Sequence, residues 1–270
     1  MHPLFPIKTG LKVAGRLKQK IQAVLFDVYG TLFISGSGDI GQLEQETPGP
    51  TGLEALLCNY GFKETPRMIG STLASTIKRQ HQIKKTMGIE HPEIEIEKIW
   101  MEILGIDEVA TAKKFGLEWE LLTNPVYPMP NVKKVLSLCK RRNFAMGLIS
   151  NAQFYTPYMF EWLLGAPLSE LGFDAELIIL SYRIGHAKPS ALLFQKAREE
   201  LRAKGISERA VLYVGNDMLN DIYPAKAIGF QTALFAGDKR SLRLRQDHPQ
   251  CKGLDADLIL TDLVQLLDYI

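Results

Sequence analysis

The chain is poor in the features that mark specialised architectures. It has only three cysteines, Cys58, Cys139 and Cys251, odd in number and far apart. That argues against a disulfide framework or a zinc cluster, and ordinary thiols fit a reducing compartment, the cytoplasm. No stretch approaches the roughly 18 uninterrupted apolar residues of a membrane-crossing helix. The beginning of the chain lacks an apolar secretory core and turns basic at Arg16, Lys18 and Lys20,. An excess of one charge is also missing. Thirty-two lysines and arginines face 30 aspartates and glutamates, for a net charge of +2. With no basic arm or patch, nothing recruits nucleic acid electrostatically. Internal repeats and low-complexity tracts are absent. What is present is 46% hydrophobic and 23% charged residues over 270 positions. That composition excludes a disordered chain and fits one large globular domain or a core with an insert.

Three short apolar runs read as buried parallel strands: Ile21 to Phe26, Phe144 to Ile149 and Ala210 to Val214,. Each is followed at once by small or polar residues: Asp27, Ser150-Asn151 and Gly215-Asn216-Asp217. Weaker strand candidates are Glu176 to Leu180, Thr232 to Phe235 and Ala256 to Leu260. Helical spacing marks Pro130 to Arg142 and Ser190 to Lys204, the latter with Gly205 just past its end,. Strands alternating with helices predict an α/β protein with a Rossmann-like parallel sheet. In such sheets ligands lie beyond the carboxyl ends of the strands, where all three polar clusters would meet.

The segment 34–126 breaks this alternation. It opens on Ser35-Gly36-Ser37-Gly38, carries helical periodicity over Thr72 to Met87 and Glu93 to Leu104, and ends near Asn124-Pro125 and Pro128,. A crossover needs only about a dozen residues. The excess predicts an inserted helical cap domain over 34–126, with the core formed by 1–33 and 127–270.

Asp27 leads the candidates for chemistry. A carboxylate is ionised at neutral pH and can act as a nucleophile without a base, although an aspartate at a strand end is often only a turn former. Gly30 permits a sharp turn, leaving backbone N–H groups and the Thr31 hydroxyl to hold an anion. Ser150 offers a hydroxyl to the same place. Lys188, in the loop Gly185-His186-Ala187-Lys188-Pro189-Ser190, would neutralise Asp27 and a substrate anion if buried; a lone lysine is usually exposed. His186 reads as a loop residue. Asp217 and Asp221, with Asp27, make a hard oxygen set suited to Mg²⁺. The plainer alternative is a loop whose Asp caps the next helix.

In this order, Asp27 with Gly30-Thr31, then Ser150, then Lys188, then the acidic loop, the sequence resembles the haloacid dehalogenase (HAD) superfamily, in its subclass with a helical cap between the first two motifs. The resemblance covers residues 21 to about 235. It implies a hydrolase in which Asp27 forms a covalent aspartyl intermediate. Thr31 or Ser150, with the Asn151 backbone, would hold the transferring group, and Lys188 would stabilise it. Asp27, the Tyr29 carbonyl and an acid among Asp217 and Asp221 would bind Mg²⁺.

Two positions depart from the phosphatase pattern. Tyr29 stands where phosphatases of the family carry a second Asp that protonates the leaving group; dehalogenases of the family have Tyr there. In the last motif many phosphatases of the family put the acid directly after the Gly, where this chain has Asn216; Asp217, one position later, is favoured as the metal ligand because an amide is a weaker one, with Asn216 as the alternative. No clear counterpart of the dehalogenases' substrate-holding cap arginine is found; Arg79 matches only in kind, and a solvated helix face explains it better. Three readings follow. The first is a Mg²⁺-dependent phosphatase of a small, anionic metabolite. The second is a metal-free 2-haloacid dehalogenase, and the third a HAD-fold binding protein with little turnover. The aromatics Phe154, Tyr155, Tyr158, Phe160 and Trp162 read as helix packing, with crevice lining or a homodimer contact as alternatives.

Overall fold

The structure is a computed structural model and describes residues 3–36 and 52–270. Residues 37–51 of the 34–126 insert, with Ser37 and Gly38 of its expected flexible opening, lie outside the described residues.

Among the described residues there are nine strands: β1 (Ala14–Gly15), β2 (Ala23–Phe26), β3 (Phe33–Ser35), β4 (Val126–Pro128), β5 (Ala145–Ser150), β6 (Phe173–Leu180), β7 (Val211–Gly215), β8 (Gln231–Phe235) and β9 (Leu258–Leu260). Seven form one sheet in the order β1-β9-β8-β7-β2-β5-β6. All its pairs are parallel except β1 with β9. The fold is therefore α/β and Rossmann-like. Alternate residues of each central strand feed opposite faces, as strand geometry requires. Val24, Phe26, Leu148 and Val214 enter one core, while Ala23, Leu25, Ile149 and Tyr213 enter the other. Helix Ala191–Ala203 covers the second face through Leu193, Phe194, Ala197 and Leu201. Ser190 caps it, accepting from the Leu192 N–H at 3.4 Å,.

The register decides which side chains share an edge. Phe26 pairs with Leu148 on one side and Val214 on the other. Asp27, Ser150 and Gly215 therefore emerge together at the carboxyl edge of the sheet. Gly147 permits the close strand packing behind them, since a Cβ there would lie 2.6 Å from the Leu177 carbonyl oxygen.

Four helices, α1 (Leu53–Asn59), α2 (Pro66–Thr86), α3 (Ile96–Leu104) and α4 (Val109–Thr123), lie between β3 and β4. They share a separate apolar cluster, centred on Trp100, Phe115 and Trp119. Trp100 meets Phe115 edge-on at 4.7 Å between centroids. Gly116 leaves room for this, because a Cβ would sit 2.6 Å from the Trp100 ring. β3 and β4 pair antiparallel, Ser35 opposite Val126, as a two-stranded stem under the helices. The helix expected over Glu93 to Leu104 starts only at Ile96. Glu93 instead turns to the sheet unit: its N–H donates to the Gly185 carbonyl at 3.1 Å, and its carboxylate accepts from Ser181 Oγ at 2.6 Å. Helix α5 (Val132–Arg141) follows β4, and α6 (Thr156–Leu164) follows β5.

Candidate active site

Asp27 is buried at the end of β2. Its Oδ1 accepts hydrogen bonds from Ser150 Oγ at 2.8 Å and from Lys188 Nζ at 2.8 Å. No hydrogen bond to Oδ2 is found among the described residues. One oxygen is thus held and oriented while the other stays available, the arrangement a carboxylate nucleophile needs.

Lys188 is not the exposed loop lysine that base rates favour. Its side chain is only 3% exposed, and Nζ also reaches Asp221 Oδ1 at 2.5 Å. Burial works against the ammonium, yet Asp221 and Asp27 outweigh it and raise its pKa above the ordinary lysine value. Lys188 is therefore a fixed cation at any physiological pH. Asp221 is pushed up, by burial first and by Asp27 and Asp217 next, with Lys188 pulling the other way.

Asn151 plays a part that the motif alone does not reveal. Its side-chain oxygen accepts from the Lys188 N–H at 2.7 Å, and its amide reaches the Lys188 carbonyl at 3.3 Å. The side chain clamps the peptide that carries the lysine. Tyr213, on β7, was also invisible as a functional residue because it reads as core. Its hydroxyl lies 2.8 Å from the Ile149 carbonyl and 3.0 Å from Asp221 Oδ1.

Gly30 turns the chain after Asp27 with φ +81°, and a Cβ there would strike Asn216 Nδ2 and Ser241 Cβ at 2.5 Å. Thr31 is fully buried and donates to Asn216 Oδ1 across 3.4 Å. Tyr29 is half-buried, and its hydroxyl is 3.0 Å from Thr156 Oγ1 at the start of α6. Burial, followed by the charge of Glu120, pushes its phenol well above the ordinary tyrosine range. The Tyr29 side chain is a fixed neutral phenol.

The acids of the last motif are occupied. Asp217 Oδ1 accepts from the N–H of Leu219 at 2.8 Å, and Oδ2 is held by Arg245 at 2.7 Å. It caps the following turn, as the plainer sequence alternative has it. Asp221 Oδ2 accepts from the backbone N–H groups of Asn216 and Asp217, each at 2.9 Å, while Oδ1 serves Lys188 and Tyr213. Among the described residues no three His, Cys, Asp or Glu side chains are grouped to hold a metal ion. The oxygen set expected from Asp27, Tyr29, Asp217 and Asp221 therefore divides. Asp217 and Asp221 offer no free oxygen. Asp27 Oδ2, the Tyr29 carbonyl and the loosely held Asn216 Oδ1 remain. One carboxylate, one carbonyl and one amide suit Mg²⁺, which keeps several of its waters.

The remaining candidates lie apart. Arg79 is exposed and pairs with Glu102 on the neighbouring helix α3. His186 bridges Pro92 in the backbone contact between the helical unit and the Lys188 loop. Tyr155 and Phe160 are buried, whereas Tyr158 and Trp162 stack on the exposed side of α6 with centroids 6.0 Å apart. All three cysteines are free. Among the described residues no helix is long and apolar enough to cross a membrane.

Comparison with known proteins shows the family and the fold. A family model described as a hydrolase, haloacid dehalogenase-like hydrolase, matches residues 21–229. A glyceraldehyde 3-phosphate phosphatase from Pyrococcus furiosus is 27% identical over 142 residues, 53% of this chain and 54% of that protein. The chain thus spans about half the length of the curated relative it matches. Two solved structures share the fold. A HAD phosphatase from Thermococcus onnurineus has a TM-score of 0.51 at 16% identity, over 92% of this chain and 97% of its own. A 2-haloacid dehalogenase from Pseudomonas syringae pv. Tomato DC3000 has a TM-score of 0.51 at 19% identity, over the same shares.

Proposed function

We infer the reaction from one fact: the chain belongs to the haloacid dehalogenase-like hydrolase family, and so is a hydrolase. Within that family we propose a phosphatase that acts on a small, anionic phosphorylated metabolite through a covalent intermediate on Asp27. The observation that carries this reading is the state of Asp27, one oxygen fixed by Ser150 and Lys188 and the other without a hydrogen-bond partner among the described residues.

Asp27 Oδ2 attacks phosphorus, and the bond from phosphorus to the ester oxygen breaks. Water then attacks phosphorus of the aspartyl phosphate, which releases phosphate and restores the carboxylate. Lys188 offsets negative charge at Asp27 throughout, in a dry site where such a cation acts strongly. The Ser150 hydroxyl orients the carboxylate, and the Asn151 backbone receives the phosphoryl oxygens, because the Thr31 hydroxyl is taken by Asn216 and the N–H groups of residues 30–33 are taken by carbonyls of their own turn. Mg²⁺ fits at Asp27, the Tyr29 carbonyl and Asn216, where it would offset repulsion between the phosphate dianion and the nucleophile. Helices α1–α4 serve as the cap that closes over the crevice and excludes water.

A second reading, halide displacement from a 2-haloacid, is favoured by the occupied acids Asp217 and Asp221 and by the inert phenol at Tyr29. A halide leaves without a proton. The two readings separate in one assay on wild type and Asp27→Asn, with p-nitrophenyl phosphate and with 2-chloropropionate, each in Mg²⁺ and in EDTA. Mg²⁺-dependent phosphate release lost in Asp27→Asn supports the phosphatase. Chloride release in EDTA replaces it with the dehalogenase. Turnover that survives Asp27→Asn overturns both.

A further inference from the structure

The phosphatase reading leaves the alcohol without a good proton donor, because burial and the charge of Glu120 make the Tyr29 phenol a weaker acid and its hydroxyl is engaged with Thr156. Another carboxyl group stands close by. Glu120 lies on α4, one turn before the end of that helix. Its Oε1 accepts from Asn124 Nδ2 at 2.8 Å, and Asn124 is in turn bound by Ser35 Oγ at 2.8 Å. Ser35 belongs to the β3–β4 stem, eight residues after Asp27 in the same chain segment. On its other side Glu120 is hydrogen-bonded by Tyr155, at the start of α6. The carboxyl is thus fixed where the helical unit rejoins the sheet. Its charge acts on Tyr29 and on Tyr155, while that of Asp27 acts on Tyr29 and that of Glu93 on Tyr155. Tyr155 adjoins Thr156, whose Oγ1 meets the Tyr29 hydroxyl at 3.0 Å, so Glu120 sits by the phenol end of the side chain two residues after Asp27.

We propose that Glu120 is the general acid of the reaction, supplied by the helical unit in place of the acid that Tyr29 has displaced. Glu120 gives its proton to the departing ester oxygen as Asp27 takes the phosphoryl group. The resulting Glu120 carboxylate takes a proton from the water that attacks the aspartyl phosphate, and the starting state returns. Burial supports the role by raising the pKa of the carboxyl, and no cation is among the groups acting on it. Such raised carboxyls in clefts are the usual proton donors of hydrolases.

This inference rests on the phosphatase reading, and the test keeps the two apart. Steady-state turnover is measured on p-nitrophenyl phosphate, whose leaving group scarcely needs a proton, and on an alkyl phosphate such as glycerol phosphate, which does. In Glu120→Gln, which keeps both neighbours' hydrogen-bonding shape, the ratio of alkyl to aryl turnover falls about 100-fold or more, the usual share of a general acid. Equal losses on both substrates would make Glu120 merely structural and overturn the proposal. A series of aryl phosphates on wild-type protein gives a check independent of any variant: rates depend weakly on leaving-group pKa if an acid acts, and a steep dependence overturns the proposal. If wild type releases phosphate from none of these esters, or Asp27→Asn still does, the phosphatase reading itself fails.

Discussion

Replacing Lys188 with Met probes the ion cluster that the whole site is built around. The ammonium is the one cation within hydrogen-bonding distance of both Asp27 and Asp221 among the described residues, and all three side chains are buried. Met fills most of the same volume but leaves two carboxylates facing each other. Breaking a buried pair by removing one partner costs about 3–5 kcal/mol. At about 2–4 °C per kcal/mol for a chain of this size, Tm falls by roughly 6–20 °C. The loss has a predictable pH dependence. Lys188 has a raised pKa in the folded state, so its stabilisation is complete below the ordinary lysine value and persists across the neutral range,. Without it Asp221, already raised by burial, rises further. It can then be accommodated as a neutral acid when the pH falls. The deficit of Lys188→Met relative to wild type is therefore large at pH 8 and shrinks toward pH 5. Melting curves of both proteins across that range check this. A Tm within 2–3 °C of wild type at pH 8, about 1 kcal/mol, or a deficit that does not change with pH, would refute the reasoning.

Tyr29→Phe strips Thr156 Oγ1 of its partner and costs about 1–3 kcal/mol in a denaturant melt. Because the phenol titrates above its ordinary value of about 10,, the variant's pH–rate profile on p-nitrophenyl phosphate keeps the wild-type shape between pH 6 and 9; a lost limb would show that the phenol takes part in proton transfer. Gly30→Ala forces a left-handed φ on a residue with a Cβ and drives that Cβ against Asn216 and Ser241. A destabilisation of about 1–3 kcal/mol follows, and an unchanged melting temperature would mean the turn is not built as described.

Much of the fold was legible because parallel-sheet strands are buried on both faces and read as short apolar runs. Ala23–Phe26, Ala145–Ser150 and Val211–Gly215 all lie within a residue or two of the runs that announced them. The polar residue that follows each is what places Asp27, Ser150 and the Asn216 loop on one edge. Periodicity is a poorer guide where the partner is not the residue's own element. Glu93 was placed in a helix, yet it belongs to the contact with Ser181 and Gly185, formed 88 and 92 residues downstream. The same limit explains the acids. Asp217 and Asp221 read as free ligands because their spacing says nothing of Arg245, 28 residues further along, or of the N–H groups that turn back on Asp221. Tyr213 and Glu120 gave no motif signal: one alternates as a core residue of β7, the other as a charged position on α4.

The central claim is that Asp27 carries the substrate covalently. Wild-type protein mixed with excess p-nitrophenyl phosphate and quenched in acid during turnover, then digested and read by peptide mass spectrometry, tests it directly. The account predicts phosphate on the peptide containing Asp27, located at that residue, and none in Asp27→Asn. Steady turnover with no phosphate on that peptide, or phosphate on any other side chain, would contradict it.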